Sequence, residues 1–245
     1  MDQPVRQIAI VLYPGVTALD AVGPYELLKA VRGAELRFVT HEAGPIVCDS
    51  GQLALVASHS LAETPRPDLI LVPGSENGTV QAMADGKLLD WLKQAHQHTR
   101  FTTSVCSGAL VLAAAGLLEG LPATTHWAAQ GALKGFGARP NREARIVRAD
   151  KIWTAAGVSA GIDLALALLA EIDGEDWAKL NQLIIEYDPQ PPFQAGHPTK
   201  ADPELFAAAK LEMAQRAKNP LNALAIPKIV WRRTLNRLRK RASVR

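Results

Sequence analysis

The stretch Phe101-Thr102-Thr103-Ser104-Val105-Cys106-Ser107-Gly108-Ala109-Leu110 places a cysteine where a short strand turns directly into a small-residue helix. Ser104 and Gly108 stand two residues to either side of Cys106, the spacing of a strained strand-to-helix elbow, where bulky neighbours would block the turn and the reactive atom points outward. A helix starting near Ser107 would aim unpaired N–H groups and a partial positive charge at the sulfur, favouring thiolate over thiol. The reading without chemistry is a cysteine packed as a small hydrophobe.

Other groups fall where they could serve such a nucleophile. Asp20 and Glu26 lie in Leu19-Asp20-Ala21-Val22-Gly23-Pro24-Tyr25-Glu26, near a helix start and a turn and a half later. Either suits a proton carrier; either also suits a plain role, Asp20 as an N-terminal helix charge and Glu26 on a solvated face. The turn Val72-Pro73-Gly74-Ser75-Glu76-Asn77-Gly78 lets main chain approach a ligand, so Gly74 and Ser75 offer N–H groups to developing negative charge, or form an ordinary turn. His126, in Ala123-Thr124-Thr125-His126-Trp127, invites a Cys/His dyad, although a lone histidine beside a tryptophan is as readily structural. Gly157, in a late turn Ala155-Ala156-Gly157, joins Gly74, Ser75 and Ser107 as a candidate substrate-binding or oxyanion residue. It is spaced GxxxG-fashion with Gly161, but no phosphate-binding fingerprint follows the first strand, so no nucleotide cofactor is expected.

These residues need a scaffold, and the apolar pattern supplies one. Strand-length runs at residues 7–13, 36–40, 69–72, 101–104 and 151–154 alternate with helical periods at 19–31, 86–98, 107–117, 158–170 and 175–186. That alternation predicts an α/β fold, a doubly wound, mostly parallel sheet with helices on both faces, which binds ligands at the carboxyl ends of its strands. A small hairpin at 45–56 follows the second strand, and the Pro-rich stretch 188–196 is a loop. The reading divides the chain into an α/β domain over 1–198 and a C-terminal helical extension over 199–245.

The 245 residues can bury a full core unaided. Two cysteines, Cys48 and Cys106, form neither a disulfide framework nor a metal-spaced cluster, so no metal is expected and a reducing, cytoplasmic setting is. The N-terminus lacks a signal-peptide pattern, and no apolar run reaches the ~18 residues of a membrane span. The net charge of +3 is uneven. Lys228, Arg232, Arg233, Arg237, Arg239, Lys240, Arg241 and Arg245 crowd the end, interleaved with Ile229, Val230, Trp231, Leu235 and Leu238 at helical spacing. Such a helix either touches an anionic surface or packs its apolar stripe on protein; without a groove-reading motif, no specific nucleic acid is expected and the partner stays open.

The elbow from Thr103 to Gly120, the Ala123–Trp127 segment, Ala160-Gly161-Ile162-Asp163, Glu186-Tyr187 and Pro191-Pro192-Phe193 together resemble the DJ-1/PfpI superfamily, and within it the isonitrile hydratase branch, over residues 7–198. The resemblance implies a homodimer that hydrates isonitriles to N-substituted formamides without a cofactor. In that branch the cysteine attacks the terminal carbon to form a thioimidate, and an aspartate, matching Asp20 in Leu19-Asp20-x-x-Gly23-Pro24, handles protons. Two positions depart from the pattern: Ser107 stands where threonine is frequent, keeping a hydroxyl, and Ala155-Ala156-Gly157 is poorer in glycine than the hydratases. PfpI-type proteases carry histidine directly after the cysteine, so protease activity is not expected. Two alternatives from other classes are a cysteine redox or stress sensor, whose sulfenic acid a nearby carboxylic acid would stabilise, and a relative of the amidase-like domain of AraC-type regulators. The latter would need a helix-turn-helix module of about a hundred residues, for which the chain is too short.

Overall fold

In a computed structural model, which describes residues 4–243 and the side chains of 4–234, one seven-stranded sheet organises the chain. Its strands are β1 (Gln7–Val11), β2 (Glu35–Thr40), β5 (His59–Ser60), β6 (Leu69–Val72), β7 (Phe101–Ser104), β10 (Ile146–Ala149) and β11 (Ile152–Ala155), in the order β10-β11-β7-β6-β1-β2-β5. All neighbours are parallel except the β10–β11 pair at one edge. The expected hairpin is β3 (Gly44–Val47) with β4 (Ala54–Ala57), and β8 (Pro122–Ala123) pairs with β9 (Arg139–Pro140).

The central strands are apolar on both faces because both are covered, and the period of two sorts their side chains. Ala9, Val11, Ile70 and Val72 enter the core against α2 (Thr79–Ala84), α3 (Gly86–His96), α4 (Gly108–Ala114) and α5 (Gln130–Gly135). Ile8, Ile10, Leu69 and Leu71 enter the opposite core, against α1 (Ala18–Leu28), α6 (Ala160–Asp173) and α7 (Glu175–Ile184).

The doubly wound expectation therefore holds, with boundaries within a few residues. The antiparallel edge strand β10 and the six-residue α2 were not expected. β10 earns its place by pairing with β11, and α2 is too short to display a helical period.

Of the segments that carried the resemblance towards the C-terminus, Glu186-Tyr187 is tied back to α6 through Tyr187. Asp163, on the first turn of α6, accepts from the Tyr187 hydroxyl at 2.7 Å and pairs with Arg145. Pro191, Pro192 and Phe193 lie in an exposed loop. Tyr187→Phe removes one partly buried hydrogen bond and is expected to cost about 1 kcal/mol, a melting temperature about 2–4 °C lower by calorimetry.

The extension folds as α8 (Pro203–Arg216), capped by Asp202, and α9 (Asn222–Ser243), which packs on α2. Ile229 reaches the core, while Arg216, Asn219 and Asn222 bond to Glu76, Asn77 and Gln81. Leu235, Leu238, Arg237, Arg239, Lys240, Arg241 and Arg245, named for the basic tail, have side chains outside the described residues. No helix of the described residues is long and apolar enough to cross a membrane.

Candidate active site

The strand order reverses between β1 and β6, opening the crevice expected of such sheets at the carboxyl ends of the strands. Chain segments leaving β1, β6, β7 and β11 converge there. Tyr13, just past β1, ties two of them together by donating its hydroxyl to Pro73 O at 2.8 Å.

Cys106 follows β7 with φ of 55°, in the left-handed region that a side chain adopts only when its surroundings enforce it. The enforcement is visible. Its N–H donates to Ala156 O at 2.8 Å, its carbonyl accepts from Thr125 Oγ1 at 2.7 Å, and the flanking Val105 N–H donates to Val72 O at 3.0 Å. Gly108 is required next to this turn, since a Cβ there would lie 2.1 Å from Val72 O. The elbow is therefore as expected.

Asp20 is fully buried. Its Oδ2 accepts from Gly74 N–H at 2.8 Å, its Oδ1 has no partner, and its charge acts on the Cys106 side chain beside it. Burial pushes its pKa from 3.8 up to about 7, outweighing the Gly74 N–H and Cys106, which favour the carboxylate. The Cys106 thiol is pushed up too, first by burial and then by the Asp20 charge, against the pull of the Val158 and Ser107 N–H groups.

This corrects the expectation of a helix-favoured thiolate. The seven-residue α4 is outweighed by desolvation, so the resting sulfur keeps its proton.

The anion-holding groups are also reassigned. Gly74 N–H is taken by Asp20, and Ser75 N–H by Ser107 Oγ at 3.0 Å, so neither is free for a substrate. The Ser75 hydroxyl serves Gly15 O, Asn77 N and Gly78 N. The Ser107 hydroxyl bonds Thr79 Oγ1 at 2.7 Å and Ser75 O at 3.1 Å, binding the elbow to the β6 loop. The N–H groups that face the sulfur are those of Ser107 and Val158. Val158 was missed because a backbone donor has no side-chain signature; Thr125 sat in a motif already noted, overshadowed by its neighbour His126.

His126 does not pair with Cys106. Its Nδ1 accepts from Ala128 N–H at 3.3 Å, its ring lies 5.1 Å from Trp127, and burial lowers its pKa, keeping it neutral. Its ring edge packs on Gly157, where a Cβ would come within 2.6 Å of Cδ2. Gly157 thus makes room for an imidazole and, with Val158, shapes the turn over the sulfur.

Glu26 is not part of the site. Six residues after Asp20 it points about 240° around the helix axis, where it is exposed and paired with Lys29. Among the described residues, no three His, Cys, Asp or Glu side chains gather as metal ligands.

The family model for DJ-1/PfpI matches residues 6–171, which contain every element of this crevice. The chain belongs to the DJ-1/PfpI family. A relative named isonitrile hydratase, from Pseudomonas putida, is 39% identical over 212 residues, 86% of this chain and 92% of that protein. The crystal structure of a ThiJ/PfpI family protein from Pseudomonas syringae superposes with a TM-score of 0.82 at 38% identity, covering 90% of each chain. The transcriptional regulator GlxA of Rhizobium meliloti is 36% identical over 116 residues, 43% of this chain and 36% of the regulator. The DJ-1/PfpI match ends at residue 171, and α7 to α9 follow it in the chain.

Proposed function

We propose that this protein hydrates isonitriles to N-substituted formamides, with Cys106 as nucleophile and Asp20 as proton carrier. The observation that carries the reading is the pairing of a fully buried carboxylate, one oxygen unpartnered, with a cysteine held in a left-handed elbow. The 39% identity to a protein named isonitrile hydratase supports the substrate class.

The chemistry follows from one shared proton. As Sγ attacks the terminal carbon of R–N≡C, the S–H proton passes to Asp20, and the S–C bond forms. Attack leaves that carbon basic, and the Asp20 carboxylic acid delivers the proton to it, giving Cys–S–CH=N–R. Asp20, again a carboxylate, then deprotonates a water that adds to the thioimidate carbon. The proton goes on to nitrogen, the C–S bond breaks, and HC(O)–NH–R leaves as sulfur recovers its proton. Ser107 and Val158 N–H groups stabilise the sulfur while it is negative. A cytoplasmic homodimer is carried over with this reading.

The test is time-resolved formation of N-substituted formamide from a simple alkyl or aryl isonitrile. Parent protein is expected to turn over, and Cys106→Ala to fall to the buffer rate. An inert parent whose Cys106 still reacts rapidly with peroxide would overturn hydration in favour of redox sensing.

A further inference from the structure

Among the described side chains of helix α9, those on one face pack on the body and those on the other stand exposed. Ala225 is buried, Ile229 packs into the core, Arg232 pairs with Asp90, and the Arg233 guanidinium lies 5.3 Å from the Phe136 ring. On the opposite side, at i, i+3 and i+7, stand Leu224, Pro227 and Trp231, all exposed; Leu224 is 69% and Trp231 66% exposed. Ile226 and Val230, 52% and 59% exposed, flank them. An isolated apolar side chain on a surface needs no account, but a tryptophan and a leucine two turns apart on one helix face form a stripe.

The charge says what would cover it. Between Asn222 and Ser243 the sequence has Lys228, Arg232, Arg233, Arg237, Arg239, Lys240 and Arg241 and no acid. The chain's net charge of +3 therefore conceals +7 in α9 and −4 in everything else. A second α9 would set like charges against like. A polynucleotide would satisfy the cations and leave the apolar stripe in water. An anionic bilayer meets both: the helix's excess positive charge, with Lys228 exposed and Arg232 and Arg233 turned to the body, draws it to lipid headgroups while Trp231 and Leu224 enter the boundary with the acyl chains. The acidic remainder is repelled by the same surface, so the contact has one orientation.

We propose that α9 lies in the plane of an anionic membrane surface and holds this protein there peripherally, with Leu224, Pro227 and Trp231 facing the lipid. The proposal is independent of the reaction at Cys106, because the stripe is on the side of α9 turned away from the body.

Co-sedimentation of the full chain with vesicles of phosphatidylcholine alone, and with equimolar phosphatidylglycerol, is the direct test. Partitioning is expected only with the anionic vesicles, with a blue shift of tryptophan emission, and is expected to drop about tenfold or more as salt is raised to about 0.5 M. Trp231→Ala should abolish the shift and weaken partitioning about tenfold, and Lys228→Glu should weaken it mainly at low salt. Both residues are exposed, so both variants should keep the parent's melting temperature. Three results each overturn the proposal: no partitioning of the parent into anionic vesicles; equal partitioning of parent and Trp231→Ala; or association with duplex DNA, RNA or a second copy in place of vesicles.

Discussion

Asp20→Asn is expected to lower formamide production by about 10²–10⁴-fold, and at the same time to make the protein more stable at neutral pH. Both effects come from burying one carboxylate. Asp20 is fully buried, and burial raises its pKa from 3.8 to about 7. Between those values the unfolded chain has released this proton and the folded chain has kept it. The folded state thus binds more protons, and stability falls as pH rises through that window, by about 4 kcal/mol at pH 7. Asparagine has no such proton, and its amide oxygen still accepts from Gly74 N–H, so the variant should lack this slope. It cannot ferry a proton from sulfur to the isonitrile carbon, which is the basis of the lost turnover. Calorimetric melts of both proteins at about pH 5 and about pH 8, beside the formamide assay, separate the two effects. Parallel pH slopes would mean that Asp20 is ionised in the folded state throughout; turnover within tenfold of the parent would mean that the proton comes from elsewhere.

The contrast between Asp20 and Glu26 shows what was legible in the sequence. Both carboxylates stood after the first strand with equal claims from residue type. Only the angular step around α1 separates them, sending Asp20 into the crevice and Glu26 into water beside Lys29. The sheet itself was readable because parallel strands buried on both faces are written as continuous apolar runs, and β6 and β7 begin and end where those runs do. The elbow was readable because small residues around Cys106 have few other uses.

Hydrogen-bond allocation was not legible. Gly74 and Ser75 present N–H groups in a glycine turn, as an anion site would. Asp20, 54 residues earlier, and Ser107, 32 residues later, consume them. Likewise the state of the Cys106 sulfur depends on a competition between a short helix and complete burial, and burial is a property of the assembled fold. His126 looked like a partner for sulfur because a sequence records that an imidazole is near, not that its Nδ1 is already occupied by Ala128 N–H.

Gly74→Ala is expected to damage both the fold and the reaction. A Cβ at this position would lie 2.6 Å from both the N and Oγ of Ser107 and 2.9 Å from Asp20 Oδ2. The Ser107 nitrogen cannot retreat, because the elbow is pinned through Val105 N–H to Val72 O, Cys106 N–H to Ala156 O and Thr125 Oγ1 to Cys106 O. The strain must then move the β6 loop, breaking the Gly74 N–H bond to Asp20 and the Ser75 N–H bond to Ser107 Oγ. Overpacking of about 1–3 kcal/mol, with about 1 kcal/mol for each weakened hydrogen bond, gives an expected loss of about 3–5 kcal/mol in urea unfolding. Activity should fall further than stability explains, since a shift of about 1 Å between Asp20 and Cys106 costs about 10²-fold when a proton must pass between them. The comparison that isolates this is turnover at a temperature where both proteins are fully folded. A folded Gly74→Ala protein with parental turnover would show that the contact between the β6 loop and the elbow does not hold Asp20 against the sulfur.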